Sequence, residues 1–250
     1  MKKVAIIIPI FLFVFISCAK KELPSTSKAI THEQWTALLQ KHVDELGRVN
    51  YQGFKNDSLV FGEYLQHLSS HHPNKKNWNS DERKAYWINA YNAFTVKLIV
   101  DNYPVSSIKD LGGALYKINT PWDIRFIEIE GIDYDLNNIE HDILREEWKD
   151  PRIHFAINCA SVSCPKLSNT AYESSRLKAQ LNQAATDFIN DTTRNSITAE
   201  KSRISRIFKW FSGDFTRDLS LVSFINQFSS SQLNEDCEIE YQEYNWNLNE

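Results

Sequence analysis

The chain contains little glycine and lacks several common catalytic motifs. It has seven glycines among 250 residues, and it contains no Gly-x-Ser-x-Gly, no His-Glu-x-x-His and no glycine-rich phosphate loop. These absences argue against a serine hydrolase with a nucleophile elbow, a zincin metalloprotease and a P-loop protein. The net charge is −4 and no basic stripe is present, so we expect no nucleic-acid partner.

The N-terminus carries a short hydrophobic segment. Residues 4–16 follow two lysines and precede a Ser-Cys pair. The run is shorter than the roughly 20 apolar residues that span a membrane, and its flanks are typical of a bacterial lipoprotein signal peptide. We therefore predict that residues 1–17 are removed, that Cys18 carries lipid and that residues 18–30 form a polar tether. This predicts a lipid-anchored cell-envelope protein, at the periplasmic or surface face of the outer membrane.

The remaining residues, 31–250, are predicted to form one globular domain. Apolar residues make up 42% of the chain, with seven Trp, ten Tyr and fourteen Phe, which is enough to build a core. A helix is predicted to begin after Ser80 and to end before a Tyr-Pro pair, and it is apolar on nearly every face, as buried helices are. Residues 123–130 and 152–157 predict strands. The fold class is α+β: a helix-rich N-terminal half, with this buried central helix packed on a small mixed or antiparallel sheet.

The sequence DPRIHFAINCASVSCP, at residues 150–165, carries the strongest chemical signal. If it forms a strand, His154 and Asn158 share one face, and Cys159 lies in the loop that follows. A nucleophilic cysteine needs a base or a cation to hold its thiolate, and His154 or His141 is a candidate base. These two histidines and Cys159 are the candidate catalytic residues.

The same loop has an interpretation without catalysis. Cys159 and Cys164 lie five residues apart, and in an exported protein such a pair commonly forms a disulfide that staples a loop. We favour that disulfide, which leaves Cys237 as a lone buried thiol. The spacing of His141, His154 and the two loop cysteines matches no common zinc pattern, so we predict no metal and no cofactor.

Other polar residues are candidates for lining a site. Asn89 and Asn92 lie three residues apart on the buried helix, where a buried amide must find hydrogen-bond partners or destabilise the fold. They are either a clamp on nearby loop backbone, which we favour, or donors to a bound group. Asn158, Ser161 and Ser163 of the cysteine loop are also candidate site-lining residues.

Three segments together resemble the domain of unknown function 547 family. They are WINAYNA at residues 87–93, the cysteine-containing sequence at residues 150–165 and YQEYNWNLN at residues 241–249. Smaller matches occur at residues 47–51, 139–141, 144–145, 207–211 and 214–215. The family is uncharacterised, so the resemblance implies a shared site or scaffold rather than a reaction. The buried helix ahead of a histidine-bearing segment suggests a papain- or transglutaminase-like core.

The sequence therefore leaves two functions open. We favour a non-catalytic binding or scaffold module on a lipid anchor, with a disulfide-stapled recognition loop. The alternative is a thiol-dependent hydrolase or transferase of amide or ester bonds, with Cys159 as the nucleophile and Asn89 or Asn92 as a polarising donor. A disulfide at Cys159 indicates the module, whereas a free, readily ionised thiol beside a histidine indicates the enzyme.

Overall fold

The computed structural model describes residues 25–112 and 120–250. The predicted signal peptide, the lipidation site Cys18 and the first part of the predicted tether lie outside the described residues. The last part of the tether contacts the domain, since the Ser27 carbonyl accepts a hydrogen bond from the Trp78 indole at 3.0 Å. Within the two described ranges, no helix is both long and apolar enough to cross a membrane.

Four helices form the first half of the domain, and α4 lies at its centre. Their bounds are α1 Glu33–His42, α2 Tyr51–Asn56, α3 Ser58–Ser69 and α4 Ser80–Asn102. The N-cap of α4 is Asn79 rather than the predicted Ser80, because Asn79 and Glu82 each accept a hydrogen bond from the other's backbone N–H. The helix is buried on nearly all faces, as predicted, because other helices pack around it.

Shorter helices of several kinds form much of the second half. They are 3-10 helices at Ile108–Leu111, Pro121–Asp123 and Pro151–Phe155, a π-helix at Asn138–Arg145, and α5 Glu146–Trp148, α6 Leu177–Ile189, α7 Ile207–Trp210, α8 Ser212–Phe215 and α9 Leu221–Asn226. The π-helix continues directly into α5. Such helices are rare and frequently occur at functional sites.

In the described residues, the strands form two separate ladders rather than one small sheet. β1 (Ile127–Ile129) and β2 (Ile132–Tyr134) form an antiparallel hairpin, whose turn places Gly131 at φ +76°. β3 (Lys201–Ile204) and β4 (Glu238–Tyr241) pair in parallel. The α+β class is confirmed. The expected packing of α4 on one sheet is wrong, because α4 contacts mainly α2, α3 and the π-helix.

Residues 152–157, predicted as a buried strand, begin instead within the 3-10 helix Pro151–Phe155. The Asp150 side chain caps this helix by accepting a backbone N–H, and proline at its first position has the φ that a helix start requires. His154 therefore lies in a helical turn, and Asn158 follows it in a loop, so they do not share a strand face. The apolar residues that suggested a strand are buried because the turn packs against α6.

Two hydrophobic clusters meet at this 3-10 helix. The larger cluster surrounds α4. The smaller cluster packs α6 against α7, α8, α9 and β3, and at its centre lies Phe155, which is 1% exposed. The Phe155 ring lies 5.1 Å from Phe188 and 5.6 Å from Phe215, measured between centroids. His154 and Cys159 therefore lie where the two clusters adjoin.

Candidate active site

A cavity of about 180 Å³ contains the candidate catalytic residues. Its wall includes Cys159, His154 and His141, together with Cys164. A cavity of roughly this volume holds a group about the size of a benzene ring. A larger groove of about 820 Å³ lies beside α6, but its described wall contains no cysteine or histidine. The smaller cavity is therefore the candidate active site.

Cys159 is a free, partly exposed thiol with hydrogen-bonding groups around its sulfur. The hydroxyl oxygens of Ser161 and Tyr244 lie 3.2 Å and 3.3 Å from Sγ. The hydrogen bond from the Cys164 thiol, followed by those from the two hydroxyls, outweighs burial and lowers the pKa of the Cys159 thiol to about 7. The thiolate, which is the form that acts as a nucleophile, is therefore populated near neutral pH.

Two buried amides hold the loop that carries Cys159. The Asn92 side chain of α4 donates to the Ala156 carbonyl at 2.9 Å and accepts the Asn158 backbone N–H at 2.8 Å. The Asn158 side chain accepts the Ala160 N–H at 2.8 Å. These bonds hold Ala160 at φ +58°, a conformation that costs a residue with a Cβ about 1–2 kcal/mol. Asn92 and Asn158 are thus positioning residues for the cysteine.

The predicted disulfide is not seen in the structure, and Cys159 and Cys164 are both free. The Cys164 sulfur instead accepts the Cys159 backbone N–H at 2.9 Å. Burial, and then the neighbouring Cys159 sulfur, raise the pKa of Cys164 well above its ordinary value, so Cys164 stays a thiol while Cys159 ionises. Cys237 is also free and is partly exposed rather than fully buried.

His154 is buried and is oriented by Asp214. His154 Nε2 lies 2.7 Å from Asp214 Oδ2, and the Phe211 ring stacks on the imidazole with 3.9 Å between centroids. Burial alone raises the pKa of Asp214, but hydrogen bonds from His154 and Arg145 outweigh it and hold that pKa well below its ordinary value. Burial lowers the pKa of His154. Near pH 7 the imidazole is therefore neutral, with its proton on Nε2 toward the Asp214 carboxylate and a lone pair on Nδ1.

Glu140 faces His154 from the π-helix. Glu140 Oε1 lies 3.9 Å from His154 Nδ1, and the Tyr91 hydroxyl donates to Glu140 Oε2 at 3.1 Å. Burial, and then the charge of Cys159, raise the pKa of Glu140 to about 7 against the opposing Tyr91 hydrogen bond. Glu140 therefore gains or loses a proton near neutral pH, as groups that act in acid–base catalysis do.

His141, the other predicted base, lines the same cavity but is already engaged by Arg145. The Arg145 guanidinium donates to His141 Nδ1 at 2.7 Å, and it also binds Asp214 with 2.6 Å between Nε and Oδ2. Burial, and then the positive charge of Arg145, lower the pKa of His141. His141 is thus neutral and belongs to the polar network that holds Asp214.

Aromatic side chains form much of the cavity wall. They are Tyr91, Trp122, Trp210, Phe211, Tyr244 and Trp246. Tyr244 and Trp246 belong to residues 241–249, the closing segment of the chain. A bridge between Ser161 and Leu248 pairs this segment with the cysteine loop, and the Val162 N–H donates to the Asn247 carbonyl at 2.9 Å. This pairing brings the Tyr244 hydroxyl to the Cys159 sulfur.

The other predicted site residues do not line the cavity. Asn89 forms a clamp: its amide donates to the Tyr172 carbonyl at 2.8 Å and accepts the Tyr172 N–H at 2.9 Å. Ser161 is buried, and it reaches the site through its contact with the Cys159 sulfur. The Ser163 hydroxyl accepts the Asn245 N–H at 2.8 Å, so it ties the loop to the closing segment.

Sequence reasoning missed Glu140, Asp214 and Tyr244 as site residues. Each lies in one of the segments that carry the family resemblance: Glu140 beside His141, Asp214 in an Asp-Phe pair and Tyr244 in the closing segment. That resemblance was the available signal for all three. Within the described part of the chain, no group of three or more His, Cys, Asp or Glu residues is arranged to hold a metal ion.

The fold and the cavity define an α+β protein with a partly exposed free cysteine in an aromatic-walled site. Residues 75–189 match the family described as a protein of unknown function, DUF547. This match supports the resemblance drawn from the sequence. The matched segment contains Glu140, His154 and Cys159 and ends before Asp214. No curated protein and no solved structure matches the chain.

Proposed function

We propose that the chain is a thiol-dependent enzyme that hydrolyses or transfers the acyl group of an ester or amide, with Cys159 as its nucleophile. One observation carries this: a free, partly exposed Cys159 shares a cavity with His154, whose Nε2 is held by Asp214. A thiol, an imidazole with a free lone pair and a carboxylate that orients it are groups that acyl transfer uses. The papain- or transglutaminase-like core expected from the sequence stays a proposal. These groups support it, and the chain order does not, because here the cysteine follows the histidine.

The reaction runs in two halves. The Cys159 thiolate attacks the carbonyl carbon, a C–S bond forms, and the bond to the leaving alcohol or amine breaks. The leaving group takes a proton from the imidazolium of His154, which obtained it from the Cys159 thiol. An acceptor then attacks the thioester, gives a proton to His154 Nδ1 and releases the Cys159 thiolate. Two lower barriers thereby replace one high barrier.

Side chains stabilise the carbonyl oxygen as it becomes negative. The Cys159 N–H already donates to the Cys164 sulfur and the Ala160 N–H to Asn158, so neither backbone donor is available. The Tyr244 hydroxyl is the donor in place, 3.3 Å from the Cys159 sulfur. Donors preorganised at such an oxygen commonly provide a large part of the catalysis in acyl transfer.

The non-catalytic module that the sequence favoured depended on a stapled loop. That function requires Cys159 to be held in a disulfide with Cys164, whereas Cys159 is free and lies beside hydroxyl groups that stabilise its thiolate. A buried histidine that lines the same small cavity and is held by the Asp214 carboxylate has no role in a loop that is only stapled by a disulfide. These observations favour the enzyme.

The ionisation of Cys159 tests this function. We expect iodoacetamide to alkylate Cys159 at a rate that rises with pH and is half-maximal near pH 7, because hydrogen bonds to the sulfur stabilise the thiolate. An ordinary cysteine reaches its half-maximal rate at about pH 8.5. The native full chain is alkylated without reductant over a range of pH, and peptide mass mapping separates Cys159 from Cys164 and Cys237.

Two controls accompany this titration. The same chain unfolded in denaturant should titrate at about pH 8.5 at every cysteine. Tyr244→Phe retains the ring but removes one hydroxyl from the sulfur, so its midpoint should move upward. A native midpoint at the unfolded value, or no labelling of Cys159 until a reductant is added, contradicts a thiolate nucleophile.

We also propose that the chain is exported and anchored in the cell envelope by lipid on Cys18. The support is the sequence itself: two lysines, a short apolar run and a small residue before the cysteine. In a bacterial host grown with radiolabelled palmitate, the wild-type chain should incorporate the label and Cys18→Ser should not, because Cys18 is the residue that carries the lipid. Cys237→Ser is the matched control and should incorporate the label. A Cys18→Ser protein that is still labelled refutes the anchor.

A further inference from the structure

His154 carries a buried ring nitrogen that has no partner in the described part of the chain. His154 is 3% exposed, and its Nδ1 makes no hydrogen bond with any described residue. The other ring nitrogen, Nε2, is held by Asp214 at 2.7 Å. A buried polar atom without a partner is uncommon and destabilises the fold. Because this nitrogen belongs to a residue of the cavity wall, a bound group is its natural partner.

A second acceptor faces the same gap. Glu140 Oε1 lies 3.9 Å from His154 Nδ1, which is too far for a direct hydrogen bond. The other carboxylate oxygen, Oε2, accepts the Tyr91 hydroxyl at 3.1 Å, which fixes the orientation of the carboxylate. The gap therefore has a lone pair of His154 on one side and an oxygen of Glu140 on the other.

These two hydrogen-bond acceptors determine which ligand can bind between His154 and Glu140. A group that donates to both acceptors must carry two hydrogens on one small atom. Water and a primary amine each carry two such hydrogens, whereas an alcohol or a secondary amine carries one. Water and a primary amine are also nucleophiles that can accept an acyl group.

We propose that Glu140 and His154 bind the acyl acceptor, a water molecule or a primary amine, for attack on the thioester at Cys159. This inference rests on the proposed function. As the new bond to the carbonyl carbon forms, one hydrogen of the acceptor passes as a proton to His154 Nδ1, and Glu140 holds the other. The C–S bond then breaks and the electron pair returns to the Cys159 sulfur. Glu140 is thus a catalytic residue of the second half-reaction.

The charges around Glu140 are consistent with this role. The groups that act on it are Tyr91 of α4, Arg145 of the π-helix, His154, Cys159 and Asp214. While the thioester exists, the Cys159 sulfur carries no charge, so one of the three influences that raise the pKa of Glu140 is removed, and burial and Asp214 remain. The carboxylate is then more readily ionised and better able to accept a hydrogen from the acceptor.

The test separates the two half-reactions with p-nitrophenyl acetate. Release of nitrophenol in a burst reports acylation of Cys159, and the later steady rate reports deacylation. For Glu140→Gln in the full chain, we expect a burst rate within about 3-fold of wild type and a steady rate lower by on the order of 100-fold. Added n-propylamine should raise the wild-type steady rate and yield N-propylacetamide, and this gain should be absent from the variant.

Matched variants make the outcome decisive. Glu146→Gln changes an exposed carboxylate just after the π-helix and should leave both phases unchanged. Glu140→Asp widens the gap by one methylene, so it should slow deacylation while preserving the burst, which also reports that the protein is folded. If the amine gives no acceleration in wild type while Glu140→Gln still slows deacylation, the acceptor is water.

Three results distinguish failure of this inference from failure of the function. A normal burst with an unchanged steady rate in both Glu140 variants overturns the acceptor site alone. Equal slowing of both phases overturns it too, because Glu140 then acts on the whole site. A wild-type chain that releases nitrophenol no faster than a Cys159→Ala chain, in either phase, overturns the acyl-transfer function and this inference with it.

Discussion

Cys159→Ala is expected to eliminate the nitrophenol burst from p-nitrophenyl acetate and to lower turnover by about 10³-fold or more. The reason is that no other described nucleophile has the same surroundings: Cys164 is buried with a raised pKa, and Cys237 lies outside the cavity wall. The measurement is the absorbance of released nitrophenol in the first turnovers of the full chain.

The control for this variant is Cys237→Ala. Cys237 is partly exposed and contacts Thr198 and Ser202 rather than the site, so its removal should preserve the burst. If Cys159→Ala turns over the ester at the wild-type rate, the nucleophile lies elsewhere and the assignment is refuted.

Asp214→Asn is the second change with a large expected effect. We expect the acylation rate to fall by about 10²–10⁴-fold, because the amide no longer fixes the proton of His154 on Nε2, and Nδ1 loses its role as a base. The change is nearly isosteric, and the measurement is the burst rate. The alkylation midpoint of Cys159 should change little, since the hydrogen bonds to its sulfur come from Cys164, Ser161 and Tyr244.

That second readout separates catalysis from structural damage. A variant that had lost the shape of the site would shift the alkylation midpoint as well as the burst. Asp218→Asn, four residues further on and exposed, is the matched control and should match wild type in both measurements. An Asp214→Asn protein with a normal burst rate shows that the imidazole does not need this carboxylate.

The central helix was predictable because its signals are local. Its burial follows from apolar residues on all faces, whereas its start was predicted one residue late, because the cap is formed by Asn79 with Glu82. Alternation predicted a strand over residues 123–130, of which Ile127–Ile129 forms β1. Each signal lies within a short window of sequence, where backbone preferences act.

The residues around His154 were predicted less well, and the reason is physical. An apolar run such as residues 152–157 fits a buried strand or a buried helical turn equally, and the deciding signal was the Asp150-Pro151 cap at its start. The π-helix carries no signal that composition could reveal. The geometry of Glu140 and His141 therefore depends on tertiary packing.

The sequence predicted the candidate site only in part, because some of its residues are brought together by tertiary packing. His154, His141 and Cys159 were predicted because their chemistry is visible in any sequence. Asp214 and Tyr244 are brought to them by the packing of α8 and of the closing segment, over separations of 60 residues for Asp214 and His154 and 85 residues for Tyr244 and Cys159. No local pattern encodes such contacts.

The most direct test of the central claim is the position of an acyl group on the wild-type chain. The full-length protein is mixed with p-nitrophenyl acetate near pH 7, quenched in acid during the burst and digested, and the peptides are mapped by mass. We predict one hydroxylamine-sensitive acetyl group on Cys159, in a yield that matches the burst. Acetylation spread over lysines, or located on Cys237, with none on Cys159, would contradict the proposal that Cys159 is the nucleophile.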